Sequence, residues 1–238
     1  MEKNGTKFFF SGKNYLALLF LFVCGSGNAQ KMQMTKGYCG LYYYNMDDLY
    51  RQKQQELDFY SFQPGQTVGS IGAQCSHWEA ALAATTDSIH FYLEDIDTTH
   101  FNNRQTGFAW HYYDSLRGKP MTCPYSLVIG TERSTLLPNN SFDKIIIINS
   151  FHEFTYRDEM LADIKTKLKP GGILYIDETV PKRPGQLHGI CKKPMISPEK
   201  MISILTKNGY EYIDGLEILF RKGKPFRKIY AFRKIPSS

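Results

Sequence analysis

Phe142 to Glu178 reads FDKIIIINSFHEFTYRDEMLADIKTKLKPGGILYIDE, and this stretch decides the fold. Ile145-Ile146-Ile147-Ile148 is an unbroken β-branched run, as a strand covered on both faces of a parallel sheet requires. Arg157 to Leu168 sets Met160, Leu161, Ile164 and Leu168 three and four residues apart, which is one apolar helix face. Lys169-Pro170-Gly171-Gly172 stops that helix. Ile173 to Ile176 then begins a second apolar strand, ending at Asp177-Glu178. Strand, helix and strand in this order is the unit from which a parallel sheet is built.

The same alternation runs outward in both directions. Upstream, Asp47 to Tyr60 has the spacing of an amphipathic helix, capped by Asn45 or Asp47. After a turn at Pro64-Gly65-Gln66, Thr67 to Gly72 is a short strand running into a glycine. Trp78 to Ala84 is a strong helix former, Ile89 to Ile96 a strand ending in acids, and Tyr125 to Gly130 a third strand. Downstream, Ser197 caps a helix with Pro198 at its first position, and Asn208-Gly209 ends it after Lys207. Tyr210 to Phe220 and Lys228 to Ile235 are the last strands, joined by a link short enough to force antiparallel pairing. The expected fold class is α/β: a doubly wound, mostly parallel seven-stranded sheet with an antiparallel last strand and helices on both faces.

The chain has 238 residues, 42% of them hydrophobic and 14% aromatic, which suits one folded domain and excludes wholesale disorder. Mean hydropathy is −0.38 and only one apolar run stands out, so a polytopic membrane protein is excluded. That run, Tyr15 to Val23, follows Lys3, Lys7 and Lys13 and precedes Gly25-Ser26-Gly27-Asn28-Ala29. Charge, apolar core and small residues before Gln30 form the pattern of a cleaved secretory signal. The expected organisation is a signal peptide over 1–29 and one domain over 30–238, periplasmic or secreted, touching membrane only through the leader. Export leaves Cys39, Cys75, Cys123 and Cys191 in an oxidising compartment, with three connectivities open. Cys75-Ser76-His77 lacks the second pair a structural metal needs, so no metal site is expected. The net charge of +6, with Arg221 to Lys234 carrying seven basic residues and no acid, reads as a solvated hairpin end. No specific nucleic-acid partner is expected.

In such sheets a ligand sits outside the carboxyl ends of the strands, where the strand order reverses. Gly72 supplies a tight turn after the first strand, and Asp95 ends the second strand at the distance expected of an acid that holds two ribose hydroxyls. Four stretches carry a family likeness. They are Pro64-Gly65-Gln66-Thr67-Val68-Gly69-Ser70-Ile71-Gly72-Ala73, Tyr92-Leu93-Glu94-Asp95-Ile96-Asp97, Leu137-Pro138-Asn139-Asn140-Ser141-Phe142-Asp143 and Leu168-Lys169-Pro170-Gly171-Gly172-Ile173-Leu174. Over about residues 47 to 235 the chain resembles the class I S-adenosylmethionine-dependent methyltransferases.

The resemblance implies S-adenosylmethionine as cofactor and a small-molecule or protein methyl acceptor. It implies that Gly72 and Ala73 pass the methionine part, that Asp95 binds the ribose, and that Thr131 and Glu132 lie against adenine. Asn149 would lie beside the sulfonium and the acceptor, and His152 is the candidate general base. Ser70 stands where the family carries an acid for the cofactor's amino group, and Gln74 and Ser76 stand where it carries glycines. These departures support an alternative, a non-catalytic Rossmann-like binding protein of the cell envelope that has lost the cofactor. Asp177 and Glu178 read as a solvated pair at a strand end, and the aromatic residues of 110–113 as core or rim packing.

Overall fold

The structure, a computed structural model, describes residues 43–219 and 227–235. The leader and the tip of the basic hairpin lie outside those residues. Seven strands form one sheet: β1 (Thr67–Ile71), β2 (His90–Asp95), β3 (Tyr125–Ile129), β4 (Phe142–Ile148), β5 (Leu168–Thr179), β6 (Tyr210–Ile218) and β7 (Arg227–Lys234). Their order is β3-β2-β1-β4-β5-β7-β6. The first five pair in parallel, and β7 is inserted antiparallel between β5 and β6. Among the described residues five α-helices accompany them: α1 (Met46–Tyr60), α2 (His77–Ala84), α3 (Asn103–Arg117), α4 (Arg157–Lys167) and α5 (Pro198–Lys207).

The isoleucine run of β4 shows how the sheet takes cover on both faces. Successive strand residues point to opposite sides. Ile146 therefore packs with Tyr60 of α1, Ala80 to Ala84 of α2 and Trp110 and Tyr113 of α3. Ile145 and Ile147 pack on the other face with Met160, Leu161 and Ile164 of α4 and Met201 and Leu205 of α5. Asn45 caps α1 by accepting the backbone N–H of Asp48 at 2.8 Å, and Ser197 caps α5 by accepting that of Lys200 at 3.3 Å.

Three features differ from the sequence reading. Helix α3 was not anticipated, because Gly107 and polar residues interrupt its apolar pattern. Asn102 caps it and Gly118, at φ +71°, ends it, while Trp110 and Tyr113 face the core. Strand β5 starts at Leu168, so Lys169-Pro170-Gly171-Gly172 lies within it, at a register shift opposite Phe142 and Lys144. A Cβ on Gly172 would meet the Phe142 carbonyl oxygen at 2.8 Å, which explains the glycine. Finally, Asp177 and Glu178 are buried rather than solvated. The Arg227 guanidinium clasps Asp177, its Nε donating to Oδ1 at 2.9 Å, and Tyr60 donates to the same carboxylate at 3.3 Å.

Candidate active site

The chain winds from β1 outward to β3, then returns to β4 on the other side of β1. The loops after β1 and β4 part there and open a crevice at the carboxyl edge. Gly72 turns at φ +75°, and a Cβ on it would lie 2.5 Å from Ser150 Oγ. The N–H groups of Gly72 and Ala73 both donate to the Glu94 carbonyl, at 2.9 and 3.0 Å, and tie the bend to the end of β2. Gln74 and Ser76 hold φ of 44° and 55°, so they keep the left-handed backbone that favours glycine. Ser76 borders the crevice at the start of α2. It is buried, and its hydroxyl lies 3.1 Å from Thr106 Oγ1.

Asp95 faces this bend. Its Oδ2 accepts the Gln74 N–H and its Oδ1 the Asp97 N–H, each at 2.8 Å. Each oxygen keeps a further lone pair for a hydroxyl donor. Between Asp95, the Gly72 bend and the loop after β3 lies a cavity of 440 Å³, also lined by Glu94, Thr131, Glu132 and Ser150. Thr131 Oγ1 accepts the Ser134 N–H at 3.0 Å and folds that loop into a tight exposed turn. A second cavity of 370 Å³ shares Gly72, Gln74, Ser150 and Glu153 with the first, and continues along Ala73, Trp78, Glu79, Asn149 and His188.

Six of the expected residues therefore meet in one crevice: Gly72, Asp95, Thr131 and Glu132 around the first cavity, with Ala73 and Asn149 around the second. Two do not line it. Ser70 is buried in β1, and its hydroxyl donates to Glu79 Oε1 at 2.6 Å. Glu79 lines the second cavity, so the group that holds Ser70 brings a carboxyl from α2 to that cavity. His152 lies beneath the cavities, 2% exposed. Its Nδ1 is 2.9 Å from Glu178 Oε2, its backbone N–H donates to Glu178 Oε1 at 3.0 Å, and its Nε2 is 3.3 Å from Cys191 Sγ.

The sequence reading missed two acids that the fold brings to the crevice. Burial pushes Glu79 up to about 7 and Glu94 up to about 8, with the Asp95 charge adding to the rise at both. Glu94 Oε1 is buried with no hydrogen-bond partner, directly beside the first cavity. An unsatisfied buried carboxylate oxygen fits a ligand that donates a hydrogen bond or carries positive charge. Glu94 abuts Asp95 and was signalled by nothing but that adjacency. Glu79 meets Ser70 only through the packing of α2 on β1. Cys75 at the bend is disulfide-bonded, whereas Cys123 and Cys191 are free thiols.

Comparisons with known proteins bear on the fold. The methyltransferase-domain family profile matches residues 114–176. A highly reducing polyketide synthase of Alternaria alternata is 29% identical over 89 residues, which is 32% of this chain and only 3% of that protein's length. Among solved structures, a SAM-dependent methyltransferase from Aquifex aeolicus superposes with a TM-score of 0.57 at 21% identity, covering 79% of this chain and 94% of that one. A SAM-dependent methyltransferase from Methanosarcina mazei gives 0.59 at 13% identity, covering 76% and 98%. The [4+2]-cyclase SpnF gives 0.56 at 17% identity, covering 81% of each chain. The sheet order, the crevice at its switch point and the matched segment together make this chain a protein of the class I, Rossmann-like S-adenosylmethionine-dependent methyltransferase fold.

Proposed function

We propose that the crevice binds S-adenosylmethionine and passes its methyl group to a small-molecule or protein acceptor. The observation that carries this reading is the Asp95 carboxylate, tied to the bend at the Gln74 N–H and lining an open cavity with Gly72, with the unpartnered Glu94 oxygen beside it. Asp95 takes the ribose hydroxyls, and the Thr131–Glu132 turn flanks the adenine. Glu79, held by Ser70, takes the amino group in the second cavity. Bound there, the cofactor supplies a sulfonium-activated methyl group. The loop after β4 would position the acceptor's lone pair for attack on that methyl, the carbon–sulfur bond breaking to release S-adenosylhomocysteine as the new bond forms. Asn149, Ser150 and Glu153 border that position. His152, packed below, steadies the wall of the second cavity through Glu178 rather than touching the acceptor.

We also infer that the protein works outside the cytoplasm. The charge, apolar run and small residues of 1–29 support this, as does a disulfide at Cys75 beside a crevice that needs its bend held still.

Isothermal titration of the purified protein with S-adenosylmethionine and S-adenosylhomocysteine tests the binding. Saturable binding is expected, weakened about tenfold or more in Asp95→Ala, which removes a charged hydrogen-bond acceptor. Absence of binding at millimolar ligand would favour the non-catalytic reading of the same fold.

A further inference from the structure

A second chemical centre lies under the rim of the second cavity. Among the described residues, His152, His188 and Cys191 bring two imidazoles and a thiol together, their donor atoms all within 4.8 Å of one another. Cys191 Sγ is 3.3 Å from His152 Nε2 and 3.3 Å from His188 Nδ1. Tetrahedral zinc with bonds of about 2.0–2.1 Å to nitrogen and about 2.3 Å to sulfur spaces its ligands by about 3.3–3.6 Å. The two sulfur–nitrogen separations, at 3.3 Å, lie at the short end of that spacing.

The local fold presents these donors from two directions. His152 sits on the one-turn 3-10 helix Phe151–Glu153 after β4. His188 and Cys191 sit on the turn of a small hairpin, closed by the Leu187–Pro194 bridge. The His188 N–H donates to Lys193 O at 2.8 Å, and the Met195 N–H donates to Gln186 O at 2.9 Å. Glu178 fixes the His152 ring by its contact to Nδ1, which leaves Nε2 facing the sulfur. A carboxylate on the distal nitrogen is the usual support of a metal-bound histidine. A cysteine–histidine–carboxylate relay would use one imidazole. Such a relay has no role for the second ring, His188, at 3.3 Å from the same sulfur.

We propose that His152, His188 and Cys191 bind one zinc ion, with Glu178 as the outer support and the fourth position open toward the second cavity. His188 and Glu153 line that cavity, and Glu153 Oε1 is 3.6 Å from His152 Nε2. Three protein ligands and one open place is the arrangement of a zinc that receives water or a substrate heteroatom. The assignment goes beyond methyl transfer and stands without it.

Titration of the purified protein with Co2+, followed by Zn2+, tests the site. One equivalent of Co2+ is expected to bind, with a near-ultraviolet thiolate charge-transfer band, and to be displaced by Zn2+. Cys191→Ser should abolish that band. His188→Ala, in a half-exposed loop, should weaken binding at least tenfold while leaving the metal-free melting temperature unchanged. Glu178→Gln should weaken it about 10- to 100-fold. Absence of saturable binding, or binding that Cys191→Ser and His188→Ala leave unaltered, would overturn the site. Neither outcome depends on S-adenosylmethionine, so failure here is separable from failure of the methyl-transfer reading.

Discussion

At the scale of single residues, the crevice is defined by carboxyl groups that the fold places out of water. Glu94 rises from its ordinary 4.5 to about 8, chiefly through burial and then through the neighbouring Asp95 charge. The folded chain therefore holds this proton more tightly than the unfolded chain. The stability it contributes is complete below about pH 4.5 and is lost as pH climbs toward about 8. Glu94→Gln has no such proton to lose. Its melting temperature should gain on the wild type progressively from about pH 5 to about pH 8.5, read by thermal denaturation across a buffer series. A difference that stays constant with pH would contradict the assignment. Gly72 shows the same logic in backbone form. A side chain there faces both a left-handed φ and the Ser150 hydroxyl, so Gly72→Ala should disturb the bend that Glu94 and Asp95 close.

At the scale of elements, much was readable because local chemistry and tertiary packing agree. The β-branched run 145–148, the Ser197-Pro198 helix start and the Asn208-Gly209 stop fall where the sequence put them. The start of β5 was not readable, since Pro170 and two glycines look like a break, and only pairing with Phe142 across a register shift makes them strand. This gives a contrast between neighbours. Gly172→Ala must push against the Phe142 carbonyl and should cost about 1–3 kcal/mol in urea denaturation. Lys169→Ala removes only a partly exposed pair with Asp143 and should cost less than about 1 kcal/mol. Equal losses would mean that the strand does not begin at Leu168. The candidate site was legible at Gly72 and Asp95, which lie close to strand ends. Glu79, His188 and Cys191 were not, because their partners lie on other elements and only the folded chain joins them.

At the scale of the molecule, one sheet with a reversal of strand order between β1 and β4 accounts for where both candidate centres stand. The loops that part at this reversal carry Gly72 on one side and Asn149 to Glu153 on the other. The hairpin 186–195 then brings His188 to the edge of the same crevice and Cys191 against the buried His152. At the three departures from the resembled family pattern, Ser70 is bonded to Glu79, whose carboxyl lines the second cavity, and Gln74 and Ser76 hold the left-handed backbone that favours glycine. The central claim is that a nucleoside lodges between Asp95 and the Gly72 bend. A crystal structure of the protein grown with S-adenosylhomocysteine tests it most directly. The account expects both ribose hydroxyls within hydrogen-bond reach of the Asp95 carboxylate and the adenine against the Thr131–Glu132 turn. Ligand bound elsewhere, or a cavity at Asp95 holding only water at saturating ligand, would contradict it.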